Sequence, residues 1–426
     1  MTVAIFLGAL LGSMALGIPI AFALLACGVA LMFHLDMFDA QILAQNVING
    51  ADSFPLLAVP FFMLAGEIMN VGGLSKRIVN FALACVGHIK GGLGYVTIMA
   101  AVLLSALSGS AVADAAALTA LLLPMMVKAG HSKERAGGLI AASGVIGPVI
   151  PPSIGFVIFG VSANVSISKL FLAGIFPGIL IGAALWGTWM ILVRREQLVP
   201  PPKQPVRQML AAMRQATWAL MLPVIILVGL RMGVFTPTEA AVVAAVYALF
   251  VSTVIYRELK LSQLYGVFVS AAKTTAVIMF LVAAAMVSAW LITVADLPSK
   301  VITLFEPLID NPTLLLIAIM LLCMAVGTAM DMTPTILILT PVLMPLVKAA
   351  GIDPVYFGVM FIINNSIGLI TPPVGTVLNV VAGVGRMKMD AVTKGVLPFM
   401  AAEFAVMFLM VLFPSLVMVP ARWLYG

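Results

Sequence analysis

Two short stretches of the chain combine helix-breaking residues with flanks apolar enough to cross a lipid bilayer: Gly147 to Pro152 and Gly368 to Pro373. Each ends in consecutive prolines, which remove backbone donors and clash with the preceding turn, so a helix cannot continue through them. Such broken backbone is tolerated at membrane depth only where it is buried in protein or lines a cavity. Two broken spans in matching positions of two halves indicate the binding site of a secondary transporter.

Oxygen atoms at these breaks could bind a cation. The helix that arrives at Gly147 or Gly368 leaves unpaired carbonyl oxygens. Nearby glycine-rich turns add hydroxyl groups, those of Ser105, Ser108 and Ser110 in the first half and of Thr328 and Thr333 in the second. Unwound carbonyls beside half-helix ends are a recurrent Na⁺ site in transporters. The histidines, His34, His88 and His131, lie outside the breaks and turns, which argues against a histidine metal site or proton relay.

Five carboxylates fall within apolar segments, where an ionisable side chain is a functional candidate by default: Glu67, Asp114, Glu239, Asp331 and Glu403. Asp114 and Asp331 stand beside the glycine-rich turns. Each could tune a cation or substrate site, or cap the helix that follows, and the two roles are compatible. Glu67 and Glu239 lie near span ends, so we expect them to be interfacial or paired with a basic side chain. Glu403 has no assignment from the sequence.

The half-helices that leave the breaks favour an anionic substrate at their N-terminal ends. Small polar side chains could supply further contacts to it. The candidates are Ser110, Ser153, Asn164, Asn364, Asn365 and Ser366. Each of them could equally form a hydrogen bond that packs membrane helices together.

The composition indicates a polytopic membrane protein. The 426 residues are 63% hydrophobic and 9% charged, with a mean hydropathy of +1.20, whereas soluble domains contain roughly 25% charged residues. The net charge of +6 comes from short loops between apolar segments and does not indicate nucleic acid as a partner. The N-terminal apolar stretch is too long for a signal peptide and lacks a basic start, so it reads as a retained helix. Cys27, Cys85 and Cys323 have no CxxC spacing and are expected to be free thiols.

The first half is predicted to contain spans, an interfacial amphipathic helix, a re-entrant hairpin and a broken span. The spans are 3–33 with a kink at 17–19, 54–70 and 170–193; the interfacial helix is 74–89, the hairpin 95–127 with its tip at 108–110, and the broken span 134–163. A proline-rich connector, 194–214, follows and is expected to be extended.

The second half repeats this order. It is predicted to contain spans 215–230, 239–256, 271–293 and 395–419, an interfacial helix 297–308, a hairpin 312–348 interrupted at 327–334, and a broken span 355–384. A constant offset of 221 residues pairs Gly147 with Gly368, Gly174 with Gly395 and the two Pro-Pro pairs with each other. Most of the 22 Lys and Arg residues fall in loops on the side of the connector, which places that side in the cytoplasm. The N-terminus is then cytoplasmic, the C-terminus lies outside, and the repeats are inverted.

Four motifs together resemble the large membrane subunit of tripartite ATP-independent periplasmic (TRAP) transporters, over nearly the whole chain. They are Leu-Ser-Gly-Ser-Ala-Val-Ala-Asp at 107–114, Ile-Pro-Pro-Ser at 150–153, Leu-Thr-Pro-Val-Leu-Met-Pro-Leu at 339–346 and Asn-Ser-Ile-Gly-Leu-Ile-Thr-Pro-Pro-Val-Gly at 365–375. The resemblance implies an all-α, elevator-type ion-transporter fold in the bacterial inner membrane, not an enzyme. It implies a scaffold (1–92 and 215–311), a transport domain (93–193 and 312–426) and a cytoplasmic linker (194–214). It also implies two partners, a separate small four-helix membrane subunit and a periplasmic substrate-binding protein.

The same resemblance implies Na⁺ coupling through two or more sites, mostly built from backbone carbonyls. One site would use Ser105, Ser108, Gly147, Ile150 and Pro152, and the other Gly327, Gly368, Thr371 and Val374. The substrate, a small organic acid, would lie near Ser110, Ser153 and Asp331. A carboxylate facing an anion makes sense if Asp331 contacts a substrate hydroxyl or amide, or balances the charge of Na⁺.

Several alternatives stay open at this point. A stand-alone Na⁺/dicarboxylate symporter could share the inverted-repeat core. An intramembrane enzyme would need a catalytic constellation, and the two matched aspartates are the one candidate; an ATP-driven permease is disfavoured by the hairpins and inverted repeats. Basic side chains lie nearly all in loops, which favours a monocarboxylate such as sialic acid or a related sugar acid over a C4-dicarboxylate.

Overall fold

The computed structural model describes residues 2–194, 196, 198, 202–203 and 205–425, and that part of the chain contains helices and no β-strand. The helices of the first half are α1 (Thr2–Ala15), α2 (Ile20–His34), α3 (Ala40–Ala51), α4 (Ala58–Val71), α5 (Leu74–Val86), α6 (Gly92–Ser108), α7 (Ala111–Lys128), α8 (Lys133–Gly144), α9 (Ile154–Ala163) and α10 (Ile167–Val193). Those of the second half are α11 (Val206–Arg231), α12 (Pro237–Phe250), α13 (Leu261–Val294), α14 (Leu297–Ile309), α15 (Pro312–Gly327), α16 (Met332–Ala349), α17 (Pro354–Gly368), α18 (Thr376–Gly385), α19 (Met389–Leu412) and α20 (Ser415–Tyr425). Eight helical segments of the described residues are long and apolar enough to cross a membrane.

The two hairpins and the two broken helices occur where the sequence predicts them. Helices α6 and α7 form the first hairpin, and α15 and α16 form the second. Helices α8 and α9 are separated by residues 145–153, which contain the first Pro-Pro pair, and α17 and α18 by residues 369–375, which contain the second. Both Pro-Pro bonds are cis. The fold is therefore the predicted all-α arrangement of two similar halves.

The two halves interlock through their hairpins and broken helices. Helix α19 packs against α8, α18 against α7, and α16 against α9, so each repeat supplies walls for the break of the other. Glycines permit the closest of these contacts: Gly138 of α8 lies against Gly395 of α19, and Gly395 in turn lies against the backbone of Glu134. These helices form one continuous buried core around the breaks.

The remaining helices form a second layer. Helix α4 packs against α12 and α13, and α13 also packs against α2 and α3. Helix α5 packs against α11, and Arg77 of α5 pairs with Glu258 at 2.7 Å while its guanidinium lies 3.7 Å from the centre of the Tyr256 ring. The predicted amphipathic helix at 74–89 is confirmed as α5, which begins after the Gly72-Gly73 break.

The structure corrects the predicted first span. Residues 3–33 were expected to form one kinked crossing, but α1 and α2 are separate helices joined by a turn at Gly17, and they pack against each other. A segment of 14 or 15 residues is also short for one crossing, which takes ~20 residues. The number of crossings that α1 and α2 make decides the side of the N-terminus, so the cytoplasmic N-terminus stays a prediction.

Three further boundaries differ from the prediction. Between the predicted spans 3–33 and 54–70, for which no element was predicted, the chain forms helix α3, and the carboxylate of Asp39 caps it by accepting from Gln41 N at 2.7 Å. Helix α11 begins at Val206, inside the connector predicted as extended; Pro200 and Pro201 of that connector lie outside the described residues. The last span ends at Leu412, and the short helix α20 follows it. The three cysteines are free, as predicted.

The contact between α8 and α19 gives a test of the interlocked core. Gly395→Ala places a Cβ into the Glu134 carbonyl, and overpacking of this kind costs about 1–3 kcal/mol. We expect a lower thermal unfolding temperature for the purified protein. Gly383→Ala is the matched control, because Gly383 is also helical and a Cβ there meets nothing within 4 Å. Equal unfolding temperatures for the two variants would contradict the packing described here.

Candidate functional site

The tip of the first hairpin is built by Gly109 and Ser110. Gly109 ends α6 with a φ of 61°, in the left-handed region, and donates from its N–H to the Ser105 carbonyl at 3.2 Å. Ser110 begins α7, and its hydroxyl accepts from Ala113 N at 3.4 Å. The hydroxyl of Ser108 donates to Asp114 Oδ1 at 2.6 Å and accepts from Ser110 N at 3.2 Å. The tip therefore holds the Asp114 carboxylate in one orientation.

Asp114 faces the first break. It is only 3% exposed, and its Oδ2 atom has no hydrogen-bond partner among the described residues. A Cβ added at Gly147 would lie 3.0 Å from that Oδ2 atom and 3.0 Å from Ala111 N. Burying an ionised carboxylate without a partner is costly, so a cation or a proton at Oδ2 would stabilise it. This unpartnered oxygen is the feature of the tip that points most directly to a bound cation.

The first break supplies backbone oxygens beside Asp114. The carbonyl oxygens of Gly147 and Ile150 accept no hydrogen bond among the described residues. Gly109 lies so close to Pro152 that a side chain at Gly109 would collide with the Pro152 carbonyl oxygen. The structure thus places the hairpin tip, which follows Ser105 and Ser108, against the break that contains Gly147, Ile150 and Pro152. The hydroxyl of Ser105 itself donates to Ala101 O at 2.6 Å.

The second break has the same arrangement with glycines in contact. A Cβ added at Gly368 would lie 3.2 Å from both Cα and O of Gly327, so hairpin and break touch through their backbones. Val374 N donates to Thr328 O at 3.3 Å, and the Thr371 hydroxyl donates to Ile367 O at 2.8 Å. The carbonyls of Gly327 and Thr371 accept no hydrogen bond in the part of the chain described. The four residues expected at the second site are therefore neighbours.

Asp331 differs from Asp114, although the repeat pairs them. It is exposed, and its Oδ1 accepts from the Thr376 hydroxyl at 3.3 Å. It lines a cavity of about 540 Å³ between the second hairpin and helices α2 and α13, together with residues such as Pro19 and Phe280. Met332, the next residue, packs against Gly155 at the start of α9. Asp331 therefore faces an open groove rather than a buried break.

The other two expected substrate residues lie near the tips but are occupied. Ser153 is fully buried, and its hydroxyl donates to Pro148 O at 2.5 Å and accepts from Phe156 N at 3.3 Å, which caps α9. Ser110 caps α7 and is half-buried. Ser153 directly precedes α9 and Asp331 directly precedes α16, and these two helices pack against each other. Ser110 lies at the tip of the first hairpin, beside the first break. The sequence analysis did not identify Thr376 of α18, whose hydroxyl donates to the Asp331 carboxylate.

Other polar candidates serve the helices themselves. The side-chain amides of Asn364 and Asn365 donate to the carbonyls of Met320 (2.6 Å) and Phe361 (2.7 Å), and Ser366 donates to Ile362 O at 2.7 Å. Asn164 ends α9 in the left-handed region.

Two of the membrane carboxylates have structural partners. Glu67 accepts from the Ser270 hydroxyl at 3.0 Å, and Glu239 forms a capping box with Thr236 at the start of α12. Pairing with a basic side chain, one of the two expectations for these acids, is wrong for the described residues: the ion pairs there involve other groups.

Comparisons with known proteins agree on the class of this chain. Residues 7–416 match the family model described as "Tripartite ATP-independent periplasmic transporter, DctM component". The chain is 59% identical over 424 residues, all of both chains, to the 2,3-diketo-L-gulonate TRAP transporter large permease protein YiaN of Escherichia coli (strain K12). It is 42% identical, over 95% of both chains, to the sialic acid TRAP transporter large permease protein SiaM of Vibrio cholerae.

A solved structure shares the fold at low sequence identity. The Alcanivorax borkumensis YdaH transporter, whose crystal structure is described as having an unusual topology, superposes with a TM-score of 0.63 at 18% identity. The match covers 92% of this chain and 91% of the other. It supports the membrane-transporter fold described above.

The close approach of tip and break can be tested at Gly109. Gly109→Ala adds a methyl group that collides with the Pro152 carbonyl, so we expect loss of transport and a lower unfolding temperature. Gly351→Ala is the matched control: Gly351 has a similar φ of 68°, but a Cβ there meets nothing within 4 Å. Transport and unfolding temperature are measured for both variants. If the control loses as much as Gly109→Ala, backbone strain rather than the contact explains the effect.

Proposed function

Since the chain belongs to the DctM component family of TRAP transporters, we propose that it is a Na⁺-coupled permease subunit that imports a sugar acid delivered by a periplasmic binding protein. Members of this family are transporter subunits and not enzymes, as the sequence predicts, and the chain is a multi-pass inner-membrane protein. The observation that carries the proposal is the buried, unpartnered Oδ2 of Asp114, which lies beside Gly147 at the first break, where the Gly147 carbonyl accepts no hydrogen bond among the described residues.

Na⁺ would bind the unpaired carbonyls at both breaks, together with neighbouring carbonyls that already accept one hydrogen bond. At the first break the ion would bind carbonyls of Ser105, Gly147, Ile150 and Pro152 and an oxygen of Ser108, and the Asp114 carboxylate would balance its charge. At the second break it would bind oxygens of Gly327, Gly368, Thr371 and Val374; Asp331, the carboxylate that the repeat pairs with Asp114, is exposed there. Desolvated neutral oxygens of this kind are the recurrent Na⁺ ligands of broken-helix transporters.

An elevator movement suits the way in which the helices are packed. The hairpins, broken helices, α10 and α19 share contacts across the two repeats, so they can move as one body. The layer of α2, α4, α12 and α13 would be the scaffold. The groove between the second hairpin and α2 and α13 lies between these two bodies. Substrate bound near Asp331 would then be carried along the scaffold surface.

Two observations support a sugar acid as the substrate: the substrates for which the relatives are named, and the polar groups at the groove. The relatives compared above are named for transport of 2,3-diketo-L-gulonate and of sialic acid, which are both sugar acids. The higher identity to the first of them makes 2,3-diketo-L-gulonate the first compound to test. The Asp331 carboxylate, next to the Thr376 hydroxyl, could accept hydrogen bonds from the hydroxyl groups of a sugar acid.

The proposed partners are a small four-helix membrane subunit and a periplasmic binding protein, with the connector in the cytoplasm and the C-terminus in the periplasm. Proteoliposomes that contain this chain and its small partner test both coupling and partners. Uptake of labelled 2,3-diketo-L-gulonate should require a Na⁺ gradient and the binding protein, and sialic acid is the comparison substrate. Uptake without the binding protein would instead identify a stand-alone symporter. Uptake that ignores Na⁺ would contradict the coupling proposal.

Asp114 should set the cation affinity. Asp114→Asn removes the charge beside the first break, so we expect the Na⁺ concentration needed for half-maximal thermal stabilisation to rise about tenfold, a loss of about 1.4 kcal/mol. Asp39→Asn is the control, because Asp39 is an exposed cap of α3. The measurement is thermal unfolding of the purified protein in NaCl against choline chloride. An unchanged Na⁺ dependence in Asp114→Asn would exclude this aspartate from the site.

The Asp331 side chain should contribute more to substrate uptake than to the stability of the fold. Asp331→Ala is expected to reduce uptake at least tenfold with little change in unfolding temperature, because the side chain is exposed and holds one hydrogen bond. Asp310→Ala removes an equally exposed carboxylate at the end of α14 and serves as the control. Normal uptake by Asp331→Ala in proteoliposomes would remove Asp331 from the substrate site.

A further inference from the structure

Glu403 is a membrane carboxylate that neither cation site uses. It lies in the middle of α19 and is 0% exposed. Both of its carboxylate oxygens have no hydrogen-bond partner among the described residues. Its neighbours one turn away on the same face are apolar, Phe399 and Met407, and both are fully buried. Glu403 is therefore an acid enclosed in hydrocarbon.

Charged groups on the surrounding helices do not compensate it. Helix α8 bears Lys133, Glu134 and Arg135 only in its first turn, α10 has Lys169 and Arg194 at its ends, Arg386 follows α18, and Arg422 is on α20. On α19 itself Asp390 and Lys394 lie in the first turns, at least two turns from Glu403. Arg135 pairs with Glu196, Lys133 donates to Arg386 O, and Lys169 lies over the Tyr425 ring.

The polar side chains of the helices beside α19 do not bond to Glu403: the buried Ser143 hydroxyl of α8 has no hydrogen-bond partner among the described residues, Glu403 included. The Tyr356 hydroxyl of α17 donates to the Met410 carbonyl at 2.8 Å. Helix α15 carries no acidic or basic residue. An ionised carboxylate in such a place would cost several kcal/mol, because neither an ion pair nor a hydrogen bond replaces its hydration. The neutral acid avoids this cost.

The position of Glu403 links it to the second break. Met400, three residues earlier on α19, has its sulfur 3.7 Å from the Thr371 hydroxyl, and Thr371 is a residue of the proposed second cation site. At the 221-residue offset the first repeat has Gly182 where the second has Glu403, so the acid belongs to one half alone. Glu403 lies on α19, one of the helices of the proposed moving transport domain.

We propose that Glu403 is a proton-binding site of the transport domain, which holds one proton in this conformation and makes uptake depend on pH. Its carboxylate takes the proton from water and returns it to water, and no other bond changes. Only the pH dependence of uptake rests on the proposed transport function. The protonation state itself can be measured without substrate.

Infrared difference spectra of the purified protein test the protonation state. The C=O stretch of a carboxylic acid is separate from the stretches of a carboxylate. In NaCl, where Na⁺ rather than a proton should occupy the Asp114 site, we expect an acid band at neutral pH that is lost in Glu403→Gln and persists in Glu67→Gln, since Glu67 is a hydrogen-bonded scaffold acid. A carboxylate band that responds to Na⁺ but not to choline and is lost in Glu403→Gln would overturn the proposal in favour of a metal cation at Glu403. Identical acid bands in wild type and Glu403→Gln would overturn it as well.

Uptake at several pH values tests the functional part. In proteoliposomes at a fixed Na⁺ gradient, uptake by the wild-type complex should fall as pH rises, while uptake by Glu403→Gln should lose this dependence. Glu67→Gln should keep the wild-type profile. The same pH profile in wild type and Glu403→Gln would contradict a role in transport. If no substrate is taken up at any pH, the proposed function fails, whereas the infrared result still decides whether Glu403 binds a proton.

Discussion

The structure depends on one constraint: backbone groups that leave a helix inside a membrane need partners. Two broken helices leave the carbonyls of Gly147 and Thr371 without a donor among the described residues, and each break is covered by the tip of a hairpin. Glycines permit this cover, because Gly109 meets the Pro152 carbonyl and Gly327 meets Gly368 with no side chain between them. Oxygens left without a donor at these contacts are then free to bind a cation. The same geometry that hides the break therefore creates the site.

Much of this arrangement could be predicted from the chain. Paired prolines, glycine-rich turns and a repeat at a fixed offset act locally, so they indicated the hairpins, the breaks and the residues that meet there. The first span was misread because an apolar stretch with Gly17 and Pro19 fits a kinked helix as well as two short ones. Helix α3 was missed because its twelve residues, which include two Gln and two Asn, do not match a membrane span, and because its support comes from packing against α13.

The repeat pairs Asp114 with Asp331, but it does not predict the different surroundings of these two aspartates. Asp114 is enclosed by the first break and has one unpartnered oxygen, whereas Asp331 is exposed to a groove and touches Thr376. The sequence offered the same two roles for both. Their different surroundings come from which helices of the other half pack beside them, a long-range property that no local pattern contains. Glu403, likewise, could be assigned only once its enclosure was visible.

Direct observation of the ion would be the sharpest test of the cation site at the first break. High-resolution electron cryo-microscopy of the complex in NaCl and in choline chloride would provide it. Sodium should appear as density between Asp114 Oδ2 and the carbonyls of Gly147 and Ile150, and this density should be absent in choline. Identical maps in the two salts, with nothing bound beside Asp114, would contradict the claim that the covered break is a Na⁺ site.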